Sequence, residues 1–198
     1  MARLIPHASL RAAPWKNGGG STTEIAIEPA GAGFDDFDWR VSLATIAQSG
    51  PFSVFPGIDR TLALVEGAGV ALQIDGAQRF DLCAETPMIA FAGEAAVHAS
   101  VLDGATTDFN VMTRRARCSH TFARLAVDGL HTLRHAGTLL LFLADGEALL
   151  ACRGAERHAL ARHDALVLDE GAGWTLEATR ARVFVVELMT NTDPERAQ

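Results

Sequence analysis

Short alternating segments separated by turn residues dominate this sequence and constrain its fold more than any other feature. Residues 23–28 place Ile25 and Ile27 between polar or small neighbours, and residues 39–47 alternate in the same way. A period of two is the pattern of a β-strand with one buried face. Comparable segments, separated by glycine, proline and Asp-Gly turns, recur at residues 62–65, 70–74, 77–82, 88–91, 95–102, 108–113, 122–127, 139–143, 148–152, 158–160, 165–168, 174–177 and 182–189.

Many short strands at this spacing predict an all-β sandwich or barrel. A weak internal repeat favours two copies of one unit, because a shift of 78 residues lays residues 154–157 on residues 76–79. Two antiparallel barrels packed together are therefore expected, since a closed sheet has no exposed edge. The residues that match in the same register are Leu62 with Leu140, Leu72 with Leu150, Leu82 with Leu160 and Gly93 with Gly171.

The two halves of the chain differ in chemistry, and this difference indicates where a site would lie. Residues 1–116 contain polar, motif-like strings, whereas residues 117–198 are mostly alanine, leucine, valine and surface charge. We therefore expect an N-terminal barrel that carries the site and a C-terminal barrel that is mainly structural, with exchange of strands between them left open. The polar tail from Asn191 to Gln198 is expected to fray.

Composition excludes several classes of partner. With 48% hydrophobic residues in 198, the chain can bury a sizeable core, and a net charge of −7 without a basic run argues against nucleic-acid binding. The three cysteines have no C-x-x-C spacing, which is typical of reduced cytoplasmic thiols. The N-terminus lacks the apolar core of a signal peptide, and no apolar run reaches the roughly 18 residues of a membrane span. We expect a globular, cytoplasmic protein without membrane or nucleic-acid partners.

Residues 14–24, PWKNGGGSTTE, place an indole, an ammonium and an amide before three consecutive glycines. Glycine loses more backbone freedom on folding than other residues, so such a run is expected where the chain needs positive φ or a close approach. From the glycines alone, a flexible turn is equally compatible. Trp15, Lys16 and Asn17 favour a small-molecule site, which needs a flat apolar surface, a charge and an amide.

Polar side chains on predicted strands supply further candidates. Arg40 and Ser42 face the same side of their strand, which is either a solvated face or the lining of a pocket. Arg60 begins a strand, where its planar fork can bind a carboxylate or phosphate; an internal pair with Asp59 is the structural alternative.

Asp108 and Asn110 lie two residues apart in a predicted strand, although both residue types are disfavoured there. Their shared face favours a polar pocket, with solvent exposure as the competing interpretation. Motifs for metal or nucleotide chemistry are missing: His131 and His135 have i,i+4 spacing without a helix, and the glycine run lacks a GK[ST] ending. No serine or cysteine lies in a nucleophile motif. We therefore expect no metal and no cofactor.

Four strings together resemble the HutD/Ves family in order and spacing. They span about Trp15 to Arg114, and the second half carries no comparable motif. The strings are PWKNGGG at 14–20, WRVSLA at 39–44, GPFSVFPGIDR at 50–60 and DFNVMTR at 108–114. The resemblance implies a bicupin, with two cupin barrels in one chain. It also implies a role in histidine utilisation, namely binding of an intermediate such as urocanate or formylglutamate to moderate the pathway, without an established catalytic activity.

Many cupins hold a metal through an H-x-H pair and a glutamate, but this chain has no H-x-H, which argues against a metal-dependent oxygenase. Urocanate and formylglutamate are anions, so their pocket needs cations. Trp15 would stack on a conjugated ligand, and the amides of Asn17 and Asn110 would meet an imidazole nitrogen or a formyl oxygen. Several buried cations require a ligand or an internal acid, either Glu24 or Asp108. The expected ligand-binding residues are Trp15, Lys16, Asn17, Arg40, Ser42, Arg60, Asp108 and Asn110.

Three functions remain open from the sequence. The expected one is a non-catalytic, small-molecule-binding protein that takes part in regulation of histidine catabolism. The second is a metal-free cupin enzyme, an isomerase or hydrolase with Glu24 or Asp108 as general base. The third is an interaction or scaffold protein. The sequence does not decide the identity of the ligand or whether the chain forms a homodimer.

Overall fold

The structure, a computed structural model, describes residues 2–169 and 173–191. Within them the chain forms 17 β-strands and one 3-10 helix, His7–Ser9, so the predicted all-β class is confirmed. None of the described helices has the length and hydropathy of a membrane span. The strands are β1 (Ala2–Ile5), β2 (Ala12–Pro14), β3 (Gly20–Glu28), β4 (Trp39–Ile46), β5 (Gly50–Pro51), β6 (Ile58–Glu66), β7 (Val70–Ile74), β8 (Gln78–Leu82), β9 (Met88–Ala92), β10 (Val97–Val101), β11 (Thr106–Arg114), β12 (Cys118–Leu133), β13 (Thr138–Asp145), β14 (Ala148–Arg153), β15 (Glu156–Ala161), β16 (Ala165–Leu168) and β17 (Trp174–Thr190).

The chain divides into two compact units. Residues 11–117 form one, and the described residues before and after them form the other. The sequence assigned the first ten residues to the N-terminal barrel and left an exchange of strands open; β1 pairs with β16 along Ala2 to Ile5 and so belongs to the later unit. A segment of four residues is too short for alternation to mark it as a strand. Its pairing partner also lies more than 150 residues away, which a local pattern cannot reveal. Gly171 and residues 192–198, used in the repeat and the predicted tail, lie outside the described residues.

The 11–117 unit contains two antiparallel sheets. One has the order β2-β3-β4-β11-β6-β9 and the other β5-β10-β7-β8. Apolar side chains from both sheets form one core cluster, including Leu62 and Leu64 from the first sheet and Leu72 and Val97 from the second. The alternation of β4 assigns Arg40 and Ser42 to the same side as this core, as Val41 and Leu43 point the other way.

The later unit contains one seven-stranded antiparallel sheet, ordered β1-β16-β13-β17-β14-β15, with β12 pairing with β17. Its core is apolar throughout. Leu141, Leu143, Leu166, Trp174 and Val183 are all buried in it.

Strand pairing repeats between the units. In the 11–117 unit, β6 pairs with β9 and β11, while β7 pairs with β8 and β10. In the later unit, β13 pairs with β16 and β17, while β14 pairs with β15 and β17. Strand β17 therefore corresponds to β10 and β11 together. The sequence predicted two strands here, but a register shift with Arg180 at φ 50° interrupts the pairing pattern without ending the strand.

The sequence repeat aligns the two halves of the chain without a gap, but the matching hairpins differ in length by one residue. The alignment can therefore be correct for only one strand of each hairpin. Three residues connect the last pair of the β7–β8 hairpin, Ile74 with Gln78, whereas two connect Arg153 with Glu156 in the β14–β15 hairpin. A slip of one residue exchanges the two faces of a strand. Leu72 is accordingly a core residue while Leu150 is not in the matching core.

The glycine run forms the turn of the β2–β3 hairpin, and both predicted reasons for it are confirmed. Gly18 has φ 70°, and its N–H donates to the Trp15 carbonyl at 3.0 Å. Gly20 lies so close to β4 that a Cβ there would stand 2.2 Å from the Thr45 carbonyl oxygen and 3.0 Å from the Trp15 ring. The Asn17 side-chain oxygen accepts a hydrogen bond from the Gly19 N–H at 3.0 Å, which closes the turn.

Gly20→Ala should destabilise the protein by about 2–4 kcal/mol, because the methyl group overlaps backbone that is fixed by strand pairing. Gly33→Ala is the matched control, since a Cβ there meets nothing within 4 Å. Urea unfolding of both variants measures the difference. Equal stabilities would show that β3 and β4 do not approach this closely at Gly20.

Candidate functional site

A cavity of about 730 Å³ lies within the 11–117 unit. Its floor is the core-facing side of β3, β4, β11 and β6, and its walls come from the β2–β3 turn and from loops. The charged residues that line it are the cations Arg11, Lys16, Arg40 and Arg60 and one acid, Glu24. Its amides are Asn17 and Asn110, its hydroxyls Thr22, Ser42 and Ser53, and its aromatic rings Trp15, Phe34, Phe52 and Phe55. Seven of the eight predicted ligand-binding residues therefore meet at one place.

Strand register places the two buried arginines in one row of paired residues that runs across the strands of the sheet, here called a rung. Met112 of β11 pairs with Arg40 of β4 on one side and with Arg60 of β6 on the other. The next rung is polar: Asn110 pairs with Ser42, and Ser42 with Glu24 of β3. Alternation then keeps all of these side chains on the cavity side.

Aromatic rings enclose the Arg60 guanidinium. Its central carbon lies 5.1 Å from the ring centre of Phe91, 5.4 Å from that of Phe52 and 5.6 Å from that of Phe55. Phe91 is also the β9 partner of Arg60 across the sheet. Such cation–π contacts orient the planar group and partly offset its loss of water.

No carboxylate neutralises Arg60 in the described part of the chain. The side chain is 8% exposed, and its Nη2 donates to Asn110 Oδ1 at 3.3 Å. Nε is buried and has no hydrogen-bond partner among the described residues. Burial, with a smaller contribution from the positive charge of Arg40, lowers the pKa of Arg60 to about 10. The group therefore remains charged at neutral pH.

The alternative pair between Arg60 and Asp59 does not form. Asp59 points to the other face of β6, where its Oδ1 accepts a hydrogen bond from Arg115 Nη2 at 2.7 Å. Arg115 also binds Glu94 at 3.0 Å. These neighbours diverge because successive side chains of a strand face opposite sides.

Arg40, in contrast, has an internal acid. Its Nε donates to Glu24 Oε2 at 2.8 Å, and its guanidinium lies 5.1 Å from the Phe34 ring centre. Glu24 thus meets the expectation that an acid lies among the cations.

Asp108 is the predicted site residue that the structure does not bring into the cavity lining. It occupies the rung beyond Asn110, paired with Ala44 and Leu64, and is fully buried. Neither carboxyl oxygen has a hydrogen-bond partner among the described atoms. Burial raises the pKa of Asp108 to about 7, so its carboxyl group is largely protonated below neutral pH.

The donor atoms of the cavity do not fit a metal ion. Among the described residues, its lining contains no histidine or cysteine, and Glu24, the one carboxylate there, is bound to Arg40. Protein metal sites use several imidazole, thiolate or carboxylate ligands together. Across residues 2–169 and 173–191, no group of three or more His, Cys, Asp or Glu is placed to hold an ion. His131, one of the i,i+4 pair, lies in strand β12.

Comparison with known proteins decides the family. The sequence profile of HutD matches residues 7–186. The chain belongs to the HutD family. An uncharacterised 21.2 kDa protein in the hutC 3′ region of Pseudomonas putida is 36% identical over 179 residues, which is 89% of this chain and 92% of that protein. Protein Ves of Cronobacter sakazakii is 45% identical over 105 residues, or 52% of this chain and 56% of Ves.

Solved structures agree with this assignment. A conserved protein of unknown function from Pseudomonas aeruginosa PAO1 has a TM-score of 0.89 and 37% identity, covering 96% of this chain and 99% of that one. HutD from Pseudomonas fluorescens SBW25, in a formate condition, has a TM-score of 0.82 and 30% identity, covering 96% and 100%. Salicylate 1,2-dioxygenase from Pseudoaminobacter salicylatoxidans, 10% identical with a TM-score of 0.65 over 98% and 86%, shares the fold alone. The fold of this HutD-family chain is all-β and cupin-like.

Sequence reasoning missed several residues that line the cavity of this HutD-family chain. Phe52 and Phe55 lie within the string at 50–60, but their contact with Arg60 depends on loop conformation. Phe34 is 60% exposed and lies among acids in the sequence, so no local signal separates it from a solvated loop. Arg11 precedes a strand of three residues, which is too short to be recognised by alternation.

Asp108 makes the stability of the protein depend on pH. Its pKa is about 7 in the folded chain, against an ordinary value of 3.8. Between these values the folded chain binds more protons than the unfolded chain. The folded state therefore loses stability as pH rises from about 4 through 7. The difference of about three between the folded and unfolded pKa values corresponds to roughly 4 kcal/mol in the free energy of unfolding. Asp108→Asn should remove this decline, so that the variant exceeds the wild type in stability above pH 8.

Urea unfolding at pH 5, 6, 7 and 8 measures this effect. Asp103→Asn, in an exposed turn, should keep the wild-type slope. If Asp108→Asn shows the same slope as the wild type, Asp108 is not held protonated by the fold.

Proposed function

We propose that this HutD-family protein binds a small carboxylate ligand of the urocanate or formylglutamate class in the cavity of the 11–117 unit. By binding this intermediate it moderates histidine utilisation, without itself catalysing a reaction. The observation that carries the proposal is Arg60, a buried guanidinium that faces the cavity without a carboxylate partner among the described residues.

A buried charge without a partner is unfavourable, since desolvation is not repaid by attraction or hydrogen bonds. Three aromatic rings and Asn110 hold Arg60 in place, yet they supply no negative charge. The fork of N–H donors on a guanidinium matches the two oxygens of a carboxylate. A ligand carboxylate would supply the missing charge and the missing hydrogen-bond acceptors together.

The charge of the cavity differs from that of the whole chain. Four cations and one acid give its lining a net charge of +3, against −7 for the chain. Attraction of an anion is therefore local. The volume, about 730 Å³, lies within the range of roughly 300–1,000 Å³ that small-molecule sites occupy.

Trp15 supports a flat, conjugated ligand. Its Nε1 donates to Thr22 Oγ1 at 2.8 Å, which fixes the indole against the cavity wall. The Asn17 oxygen is used by the turn, so its amide N–H groups remain to donate to an imidazole nitrogen or a formyl oxygen. The indole therefore favours the conjugated urocanate, whereas the Asn17 amide is compatible with either candidate ligand.

Three further elements of the proposal rest on the family and the fold. A relative named for the hutC 3′ region and a HutD structure support a role in histidine utilisation. The repeated strand pairing supports a bicupin with one cupin barrel per unit. Cys83, Cys118 and Cys152 are not joined by disulfide bonds, which supports a cytoplasmic location.

Binding is favoured over catalysis by the positions of the two possible bases. Asp108 does not line the cavity, and Glu24 is held in an ion pair with Arg40 through one of its two carboxylate oxygens. A general base must lie within hydrogen-bond reach of the proton it removes.

Arg60→Met should weaken binding of urocanate or formylglutamate by roughly 100-fold, because the ligand carboxylate loses its buried, charged partner. The variant should be at least as stable as the wild type, since it removes an unpaired buried charge. Isothermal titration calorimetry measures affinity, and thermal unfolding measures stability.

Arg79→Met, at an exposed arginine of the same unit, is the matched control and should bind as the wild type does. The proposal fails if the folded wild type binds neither compound, or if Arg60→Met binds with unchanged affinity. Appearance of product by NMR at substoichiometric protein would replace the non-catalytic role with the enzymatic one.

A further inference from the structure

We infer that Glu24 is the specificity-determining residue of this cavity, and that the preferred ligand is a small acid which also carries an N–H donor. In this arrangement Arg60 binds the carboxylate, Glu24 accepts the N–H, and Glu24 also keeps Arg40 from binding simple anions. The inference rests on the proposed function, because it describes the other end of the same ligand.

The two arginines of the cavity differ in what they offer an anion. Arg60 has no acid among the described residues, whereas Arg40 is neutralised by Glu24 at 2.8 Å. Arg40 is buried and held over the Phe34 ring, so the pair is anchored on its arginine side. The site therefore has one available buried guanidinium and not two, which limits binding to ligands that Arg60 can orient.

Glu24 itself presents an unused acceptor to the cavity. Its Oε2 accepts from Arg40, while no described residue donates to Oε1. Its side chain is 44% exposed and lines the cavity. A carboxylate accepts hydrogen bonds and cannot donate them, so Oε1 favours a ligand N–H and disfavours an ether oxygen or a second carboxylate at the same place.

The arrangement of strands sets these two ends apart. Glu24 lies on β3 and Arg60 on β6, with β4 and β11 between them. Three strand spacings correspond to about 14 Å at the backbone, and the two long side chains shorten this gap from both sides. Ser42 and Asn110 share the rung of Glu24 on these two strands, and Arg60 lies on the neighbouring rung. A ligand that extends from Arg60 toward Glu24 therefore passes both of these polar side chains.

Other charged groups at the cavity do not provide this acceptor. Glu24 is its one lining carboxylate among the described residues, and the remaining charged lining residues are the cations Arg11, Lys16, Arg40 and Arg60. Asp108 lies outside the lining. Among the charged lining residues, the preference for an N–H donor is therefore assigned to Glu24.

The test compares two ligands that differ in one group: N-formylglutamate, and the formate ester of 2-hydroxyglutarate, in which an oxygen replaces the N–H. By calorimetry, the wild type should bind the N–H compound roughly tenfold or more tightly, as expected for a hydrogen bond to a charged acceptor. Glu24→Leu should abolish this preference. Glu24→Gln, which keeps the shape but removes the charge, should bind acetate several-fold more tightly than the wild type because Arg40 is no longer neutralised.

Glu28→Gln, at an exposed position of the same strand outside the cavity, is the control and should behave as the wild type. Equal affinities of the wild type for the two compounds, or a preserved preference in Glu24→Leu, would overturn the inference. If both compounds bind equally and both depend on Arg60, the proposed function stands and the role of Glu24 falls. If neither compound binds the wild type, the inference about Glu24 falls, and titration with urocanate decides whether the proposed function stands.

Discussion

The pairing of β11 with β4 on one side and β6 on the other is the constraint from which the site follows. Each rung of this sheet combines residues from three distant segments, and Met112 alone brings Arg40 and Arg60 together. A slip of one residue would turn Val41 and Leu43 into the cavity and the polar residues out of it. The buried residues on both faces of β4 and β11 make such a slip unfavourable, so the register that builds the core also assembles the cavity.

The same sheet face carries an apolar core at one end and polar groups at the other. Leu62 and Leu64 pack into the core, while Arg60 of the same strand faces the cavity. Arg60 and Asp108, which lie in this transition, have buried atoms without a hydrogen-bond partner among the described residues. Proteins accept such local costs at functional sites and offset them by packing elsewhere.

The later unit repeats the strand pairing of the 11–117 unit around an apolar core. Strand β13 has pairing partners that correspond to those of β6, yet it contributes Leu139, Leu141 and Leu143 to its core. None of the arginines described in the later unit is buried. Two units can therefore share a pairing pattern while the face toward the interior is partly polar in one and apolar in the other, since pairing depends on the backbone and burial on the side chains.

Sequence alone determined what alternation and turn chemistry control within one segment. It located β7 and β16 at their observed bounds, required close approach or positive φ in the glycine run, and assigned Arg40 and Ser42 to one side of β4. Only the tertiary structure decided which strands are neighbours, that Glu24 neutralises Arg40 but not Arg60, that Phe34 and Phe55 enclose the arginines, and that Asp108 lies outside the cavity. It also decided that β1 joins the later unit. The physical reason is that side-chain alternation is a local property of the backbone, whereas pairing, burial and charge neutralisation join residues far apart in the chain.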